Sequence, residues 1–363
     1  MNFVKTLCEP CGEKIYTCMP HSPIAQKFFH FDRWLDATPV GNGNINDTFR
    51  IRFEKNDVIH TFLLQRINHQ IFRQPEALME NIRNISDFLA AQDYPLRIAG
   101  PVPTLEGNLL HLDERGDYWR VFPFIPNSYA PEGQASPDIA YKAARAYGAF
   151  MRAVRHFPAS ELAETIPGFH DTDQRWAVFE SVLEQDPAGR VRQSAAEIDA
   201  IREALPLFRQ ISRMKNSGDL PLRVTHNDTK AGNVLFDENT HEALAVIDLD
   251  TVMPGTVLSD FGDMVRTFAP DRPEDNPEQV SLRPDMVAAL QEGFLSETAD
   301  WLTEMEQKHL LAGAAWITGE QALRFLTDWL AGDAYYKIRY PEHNLVRTRN
   351  QLALFRAIVA KYT

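Results

Sequence analysis

The sequence predicts an α+β protein of two lobes, a small N-terminal β-sheet lobe over residues 1–125 and a larger, mainly helical lobe over residues 126–363. Three observations predict it. Strand-like alternation in residues 49–67 and 118–125 brackets a single helical stretch. A Pro-rich connector follows residue 125. Beyond it, apolar residues recur at helical spacing over long windows, interrupted by three short strands.

Each element follows from a local pattern. Residues 1–38 read as an irregular or helical lead-in. The loop Gly41-Asn-Gly-Asn-Ile-Asn-Asp-Thr48 precedes Phe49-Arg-Ile-Arg-Phe53, and Thr61-Phe-Leu-Leu-Gln-Arg-Ile67 follows. Both flanks read as strands of a Gly-containing hairpin. Pro75 opens a helix running to about Gln92, with Leu78, Ile82, Ile85 and Leu89 on one apolar face. Ser136 before Pro137 is an N-cap with Pro at the first helical position. The helix it starts carries Ile139, Ala143, Tyr147, Phe150 and Val154 on one side. Further helices are expected near 194–215, 285–299 and 304–331, and strands around 223–225, 233–236 and 244–248. The turn Asp237-Glu-Asn-Thr240 joins the last two strands, and the Pro- and Asp-rich stretch at 270–277 is a surface loop.

The chain has 363 residues, of which 44% are hydrophobic and 24% charged, enough for a sizeable core. Its net charge of −13 argues against a general nucleic-acid binder. It does not argue against a phosphate ligand, because a few local cations and Mg²⁺ can dominate such a site. Residues 1–19 contain no long apolar run, and no stretch of about 18 apolar residues occurs anywhere. Neither a signal peptide nor a membrane span is expected, and a cytoplasmic location is. Cys8 and Cys11 have zinc-like spacing but no second pair follows, so these and Cys18 read as free, reduced thiols. The sequence carries no signal for oligomeric state.

The chemistry concentrates in Val224-Thr-His-Asn-Asp-Thr-Lys-Ala-Gly-Asn-Val-Leu-Phe236 and Ala245-Val-Ile-Asp-Leu-Asp250. Asp228 lies in a small, polar loop after an apolar strand, where its carboxylate can accept a proton from a substrate hydroxyl. Asn233 follows five residues later, and Asp248 closes an apolar strand 20 residues after Asp228. An amide oxygen and a carboxylate are the hard ligands that Mg²⁺ prefers beside ATP phosphates. An Asp in a loop is most often a plain turn or cap residue. The three residues together, at this spacing, outweigh that reading. Asp250 is open between a further ligand and a structural acceptor.

Strand, Gly loop, strand, helix, strand and connector give the outline of a protein-kinase-like nucleotide-binding lobe. Backbone N–H groups of Gly41, Gly43, Asn44, Asn46 and Thr48 would cover the ATP phosphates, the plain alternative being a hairpin turn. The strand at 61–67 has no Lys to hold them, so Gln65 or Arg66, on opposite faces, must serve. Arg66 keeps the charge, and Glu80 on the next helix could pair with it. Near the C-terminus, Arg324 and Tyr335 stand close to three helical turns apart and would share a face if the helix ran through Gly332. Spacing alone favours an ordinary ion-pair ladder of Glu320, Arg324 and Asp328.

The set His226-Asn-Asp228, Asn233 and Asp248 resembles the aminoglycoside phosphotransferase and choline kinase superfamily. Within it, the string from His226 to Asp237, the string Val246-Ile-Asp-Leu-Asp-Thr-Val-Met-Pro-Gly255 and Asp260-Phe-Gly-Asp263 are similar to the N-acetylhexosamine 1-kinases. The likeness also takes in the Gly loop, Leu64-Gln-Arg-Ile-Asn68 and residues 323–336. It implies ATP- and Mg²⁺-dependent phosphorylation of the anomeric hydroxyl of N-acetylglucosamine or N-acetylgalactosamine. By the same resemblance Asp228 is the base, Asn233 and Asp248 are metal and substrate positions, and Arg324 and Tyr335 hold the sugar. Asn44 stands where related sequences often carry His. The alternatives are a kinase of another hexose, choline, homoserine or an aminoglycoside, or a nucleotide-binding module without catalysis. Cationic acceptors would call for an acidic or aromatic cage, to which Asp250, Asp328 and Asp333 could contribute.

Overall fold

The computed structural model describes residues 21–40, 45–131, 133–276 and 280–363. A five-stranded antiparallel sheet forms the smaller lobe. After a short helix α1 (Ser22–Ala25) come β1 (Arg33–Pro39), β2 (Asp47–Lys55) and β3 (Val58–Ile67), then helix α2 (Pro75–Ala90), then β4 (His111–Leu112) and β5 (Tyr118–Pro123). The spatial order is β1-β2-β3-β5-β4. Asn56 and Asp57 turn β2 into β3 with φ of 51° and 58°. Two left-handed residues match the twist of a two-residue hairpin, and Asn and Asp tolerate that conformation.

Strand β1 corrects the expected lead-in. Arg33–Pro39 is an edge strand paired with β2, Pro39 lying opposite Phe49. Its Pro and charged residues hid the strand pattern, and an edge is where Pro is tolerated. The Gly loop therefore joins β1 to β2, its base closed by Val40 N–H donating to the Thr48 carbonyl at 3.0 Å. Gly41, Gly43 and Asn44 fall outside the described residues, as do Cys8, Cys11 and Cys18.

The larger lobe is mainly helical. It contains β6 (Ser128–Tyr129), α3 (Pro137–Val154), α4 (Thr172–Gln185), α5 (Ala195–Arg202), α6 (Leu205–Ser217), β7 (Arg223–Thr225), β8 (Val234–Asp237) and β9 (Ala243–Val246). Then follow β10 (Met253–Gly255), α7 (Val257–Phe268), α8 (Pro284–Thr298), α9 (Glu304–Ala331) and α10 (His343–Tyr362). Ser136 caps α3 as its sequence predicts, accepting from Ile139 N–H at 3.3 Å. The helical stretch at 194–215 is two helices, α5 and α6, broken before Pro206. Helices α4, α7 and α10 are additional to those expected. The buried face of α10 mixes Asn344, Thr348 and Gln351 with its apolar residues, and α4 buries only Thr172 and Phe179. Among the described residues no helix is long and apolar enough to cross a membrane.

Helix α2 ties the lobes together. Leu78, Met79 and Ile82 pack in the cluster beneath the sheet, while Ile85 and Leu89 belong to the main helical core. Helix α7 crosses α9 at a pair of glycines. A Cβ on Gly262 would lie 2.5 Å from the Gly313 carbonyl oxygen, and one on Gly313 would lie 2.6 Å from that of Leu258. Backbone cannot yield as a side chain can. Gly313→Ala should therefore destabilise the fold by about 1–3 kcal/mol, despite the better helix propensity of Ala. The thermal unfolding midpoint measures this, and an unchanged midpoint would mean that the helices part freely.

Candidate active site

The loop after β7 is fixed before any ligand arrives. Buried Asp260, in the first turns of α7, accepts the His226 N–H at 2.8 Å and the Asn227 N–H at 2.7 Å. Its position near a helix N-terminus favours the ionised carboxylate. Burial nevertheless pushes its pKa up to about 6, against the two N–H bonds and His226. Asn227 takes a left-handed φ of 62°. Its amide donates to the Thr251 carbonyl at 3.0 Å and its oxygen accepts from Ser259 Oγ at 3.2 Å. Thr251 Oγ1 donates to the His226 carbonyl at 2.7 Å. The fully buried His226 ring lies edge-on to Tyr147 and Phe150, and its Nε2 donates to the Ile247 carbonyl at 3.0 Å.

This framework brings Asp228, Asn233 and Asp248 to one end of the cleft. Asp228 Oδ2 accepts from Lys230 Nζ at 2.6 Å and from Asn233 Nδ2 at 2.9 Å. Burial opposes ionisation of Asp228, but Lys230 and Asn233 outweigh it and hold the carboxyl below its usual range. Asn233 Nδ2 also donates to the Asp228 carbonyl, which leaves the side-chain oxygen of Asn233 for another partner. Asp248 sits just past β9 in the left-handed region, at φ 63°. No donor among the described residues reaches its carboxylate. Although its side chain opens to the cleft, the surrounding protein and then Asp250 push its pKa up to about 7, with Lys230 opposing.

Such a place fits a divalent cation. Three carboxylates feel one another there, and Asp248 and the Asn233 oxygen are free to bind. Among the described residues no three His, Cys, Asp or Glu side chains converge as a ready-made chelate. Mg²⁺ does not need one, since it is commonly held by one or two carboxylates together with phosphate oxygens and waters. Lys230 went unassigned at the sequence level, although its place two residues after Asp228 was the available signal.

Above the cleft, the sequence leaves Gln65 and Arg66 as alternatives. Gln65 faces inward, donating to Thr48 Oγ1 at 2.9 Å and accepting from Arg120 Nε at 3.0 Å. Arg66 is half-exposed on the other face, paired with Asp47 and, at 3.1 Å, with Asp117. Glu80 does not meet Arg66: it points outward and pairs with Arg83. Asn46 Nδ2 donates to Asp250 Oδ2 at 2.7 Å. Asp250 is thus an internal acceptor, held as well by both terminal nitrogens of Arg120.

At the other end of the cleft, the ion-pair ladder on α9 is absent. Glu320 is buried against His170 Nδ1 at 2.8 Å, Thr172 Oγ1 and Arg175. Burial opposes its ionisation, yet His170 and Arg175 hold its pKa down to about 2. Asp328 accepts the N–H groups of Tyr335 at 2.8 Å and Tyr336 at 3.0 Å. Arg324 keeps no ion pair or hydrogen bond among the described residues, its guanidinium lying 5.2 Å from the Phe169 ring and 5.9 Å from that of Tyr336. The expected helical face is also absent, because α9 stops at Ala331 and Gly332 caps it at φ 97°. Asp328 instead draws the chain back, so that exposed Tyr335 stacks edge-on against Tyr336 at 4.8 Å. Arg266 on α7 interacts electrostatically with both Asp228 and Arg324, which places the two ends of the cleft in one field.

Solved structures share this architecture. A microcompartment-associated aminopropanol kinase aligns with a TM-score of 0.66 at 19% identity, covering 93% of this chain and 97% of that one. An aminoglycoside phosphotransferase from Alicyclobacillus acidocaldarius aligns at 0.61 and 13% identity, covering 97% and 98%. An amicoumacin kinase in complex with AMP-PNP and Ca²⁺ aligns at 0.60 and 12%, covering 93% of each chain. At these identities the likeness shows a common two-lobed fold. The model of the phosphotransferase enzyme family matches residues 36–302, nearly three quarters of the chain and all of the Asp228–Asp248 region, and the chain belongs to that family.

Proposed function

We propose that this protein transfers the γ-phosphoryl group of ATP to the anomeric hydroxyl of an N-acetylhexosamine, with residues 1–125 as the nucleotide lobe and 126–363 as the catalytic and sugar-binding lobe. The observation that carries the transfer chemistry is the Asp228 carboxylate, ionised and aligned by Lys230 and Asn233 next to the uncommitted Asp248. Asp228 orients the acceptor hydroxyl and takes its proton late. A hemiacetal hydroxyl is more acidic than an ordinary alcohol, so a weakly basic carboxylate suffices. Lys230 is placed to turn from Asp228 toward an incoming phosphate oxygen. Mg²⁺, held by Asn233 and Asp248, would supply the charge neutralisation on the transferred group. The residues from Asn46 to Thr48, with Gln65, close the site from above.

The acceptor end supports a neutral, hydroxyl-rich ligand over a cation. Arg324 is an uncommitted cation between aromatic rings, and Tyr335 is exposed beside it. The acids that could have caged a cationic acceptor are engaged internally. Asp250 is with Arg120, Asp328 with two backbone N–H groups, and Asp333 with Arg190 at 2.5 Å and Asn344 at 2.9 Å. The acetamido group and the anomeric position are supported by the resemblance of the His226–Asp237 and Val246–Gly255 strings to the N-acetylhexosamine 1-kinases.

An ADP-release screen over free N-acetylhexosamines, other hexoses, choline, amino alcohols and an aminoglycoside tests the acceptor, and turnover only with the amines would refute the sugar. Asp228→Asn should lower kcat by about 10²-fold or more while calorimetry still detects nucleotide binding. Near-normal turnover would remove Asp228 as the base. In Asp248→Ala, Mg²⁺-dependent turnover should fall below detection, and wild-type rates would sink the metal assignment. Arg324→Ala should raise the sugar KM roughly 10- to 150-fold with the ATP KM unchanged, the scale of a lost charged hydrogen bond. The product should be an acid-labile 1-phosphate, and an acid-stable ester would contradict the anomeric position.

A further inference from the structure

In protein kinases a strand Lys and a helix Glu form an ion pair that must be in place for phosphoryl transfer. Here neither member exists at its usual place. The strand carries Gln65, whose amide is neutral. The residue of α2 that meets Arg120 is Met79, which is 1% exposed, while its neighbour Glu80 points outward to Arg83. Between them lies Arg120 on β5, the register partner of Gln65. Its side chain is 1% exposed, and NH1 and NH2 grip the two carboxylate oxygens of Asp250 at 2.7 and 2.8 Å. Nε donates to Gln65 at 3.0 Å, NH1 approaches Met79 Sδ at 3.6 Å, and the guanidinium stacks 5.0 Å from the Phe122 ring.

We infer that the buried Arg120–Asp250 pair takes over the place of that Lys–Glu pair, and that Arg120 is the positioning residue that holds the loop presenting Asp248 to the nucleotide lobe. The inference rests on the reading above, that Asp248 faces a metal–nucleotide complex. Asp250 belongs to the short turn Leu249–Thr251, which starts from Asp248 in its left-handed conformation. Fixing Asp250 against the sheet therefore fixes the direction of Asp248. Asn46, from the loop that would cover the phosphates, donates to the same Asp250 oxygen at 2.7 Å. Thr165 Oγ1 holds the Asp250 carbonyl at 2.9 Å. One carboxylate thus joins the strand β5, the covering loop and the metal turn.

Stability alone does not explain such a pair. An apolar pair of similar volume is often as stable or more so, whereas removing one partner leaves a costly buried charge. This contrast makes the test. Arg120→Met combined with Asp250→Leu removes both charges and should fold, which thermal unfolding checks. Calorimetry then measures ADP binding with Mg²⁺ and with EDTA. Wild-type protein should bind Mg–ADP more tightly than ADP. In the double variant this advantage should shrink by about 10- to 100-fold, the range for losing a partner that orients a metal ligand. Arg120→Lys, which keeps the charge without the fork, should give an intermediate loss and serves if the double variant does not fold. A folded double variant, or in its absence Arg120→Lys, that keeps the wild-type advantage of Mg–ADP would overturn the inference. A wild-type protein that binds ADP equally with and without Mg²⁺ would instead overturn the metal assignment beneath it.

Discussion

The site depends first on the Asp260 carboxylate. Two successive N–H groups of a loop that has left its strand would be orphaned donors in the core, and a buried donor without a partner is expensive. One ionised carboxylate at the start of α7 takes both. The helix that supplies it is pressed against α9 through glycines, so the loop inherits the position of a closely packed helix crossing. His226 and Asn227 are bound into the scaffold by hydrogen bonds of their own. They fill the space and accept the backbone conformation that lets Asp228 face the cleft.

The cleft also resolves an apparent conflict of charge. The chain as a whole is strongly acidic, yet the surroundings of its carboxylates are anything but uniform. Asp228 is paired with a Lys and lies below its usual range, whereas Asp248 has neighbours of its own sign and is lifted. Glu320 and Arg324 differ in the same way: one is saturated by internal partners, and the other keeps ring contacts but no ion pair or hydrogen bond among the described residues. Groups of like type are thereby separated into those committed to internal partners and those left open.

Much of this was legible in the sequence because spacing survives folding. Asp228, Asn233 and Asp248 lie on short strands and tight turns, where a fixed number of residues means a nearly fixed distance. The two-lobed order, the α2 face and the α3 cap were legible for the same reason. What escaped depended on partners remote in sequence. Arg120 lies 130 residues from Asp250, and nothing local to β5 marks it. Arg324 and Tyr335 do come to one region, but through the Asp328 carboxylate and a capped helix end, which a helical wheel cannot represent. Strand β1 and helix α10 were obscured because edge strands and polar-lined interior faces dilute the apolar period.

The freedom of Arg324 has a consequence for how such a protein changes over generations. With no ion pair or hydrogen bond among the described residues, Arg324 is held by its contacts with the Phe169 and Tyr336 rings, and the exposed Tyr335 ring packs on that of Tyr336. Asp228 and Asn233 are the opposite case, since each is bonded to the loop that carries it. Substitution at Arg324 or Tyr335 would disturb fewer bonds than substitution at Asp228 or Asn233. The two-lobed fold itself is shared at only 12–19% identity over nearly all of the chain, so it is compatible with different residues at most positions.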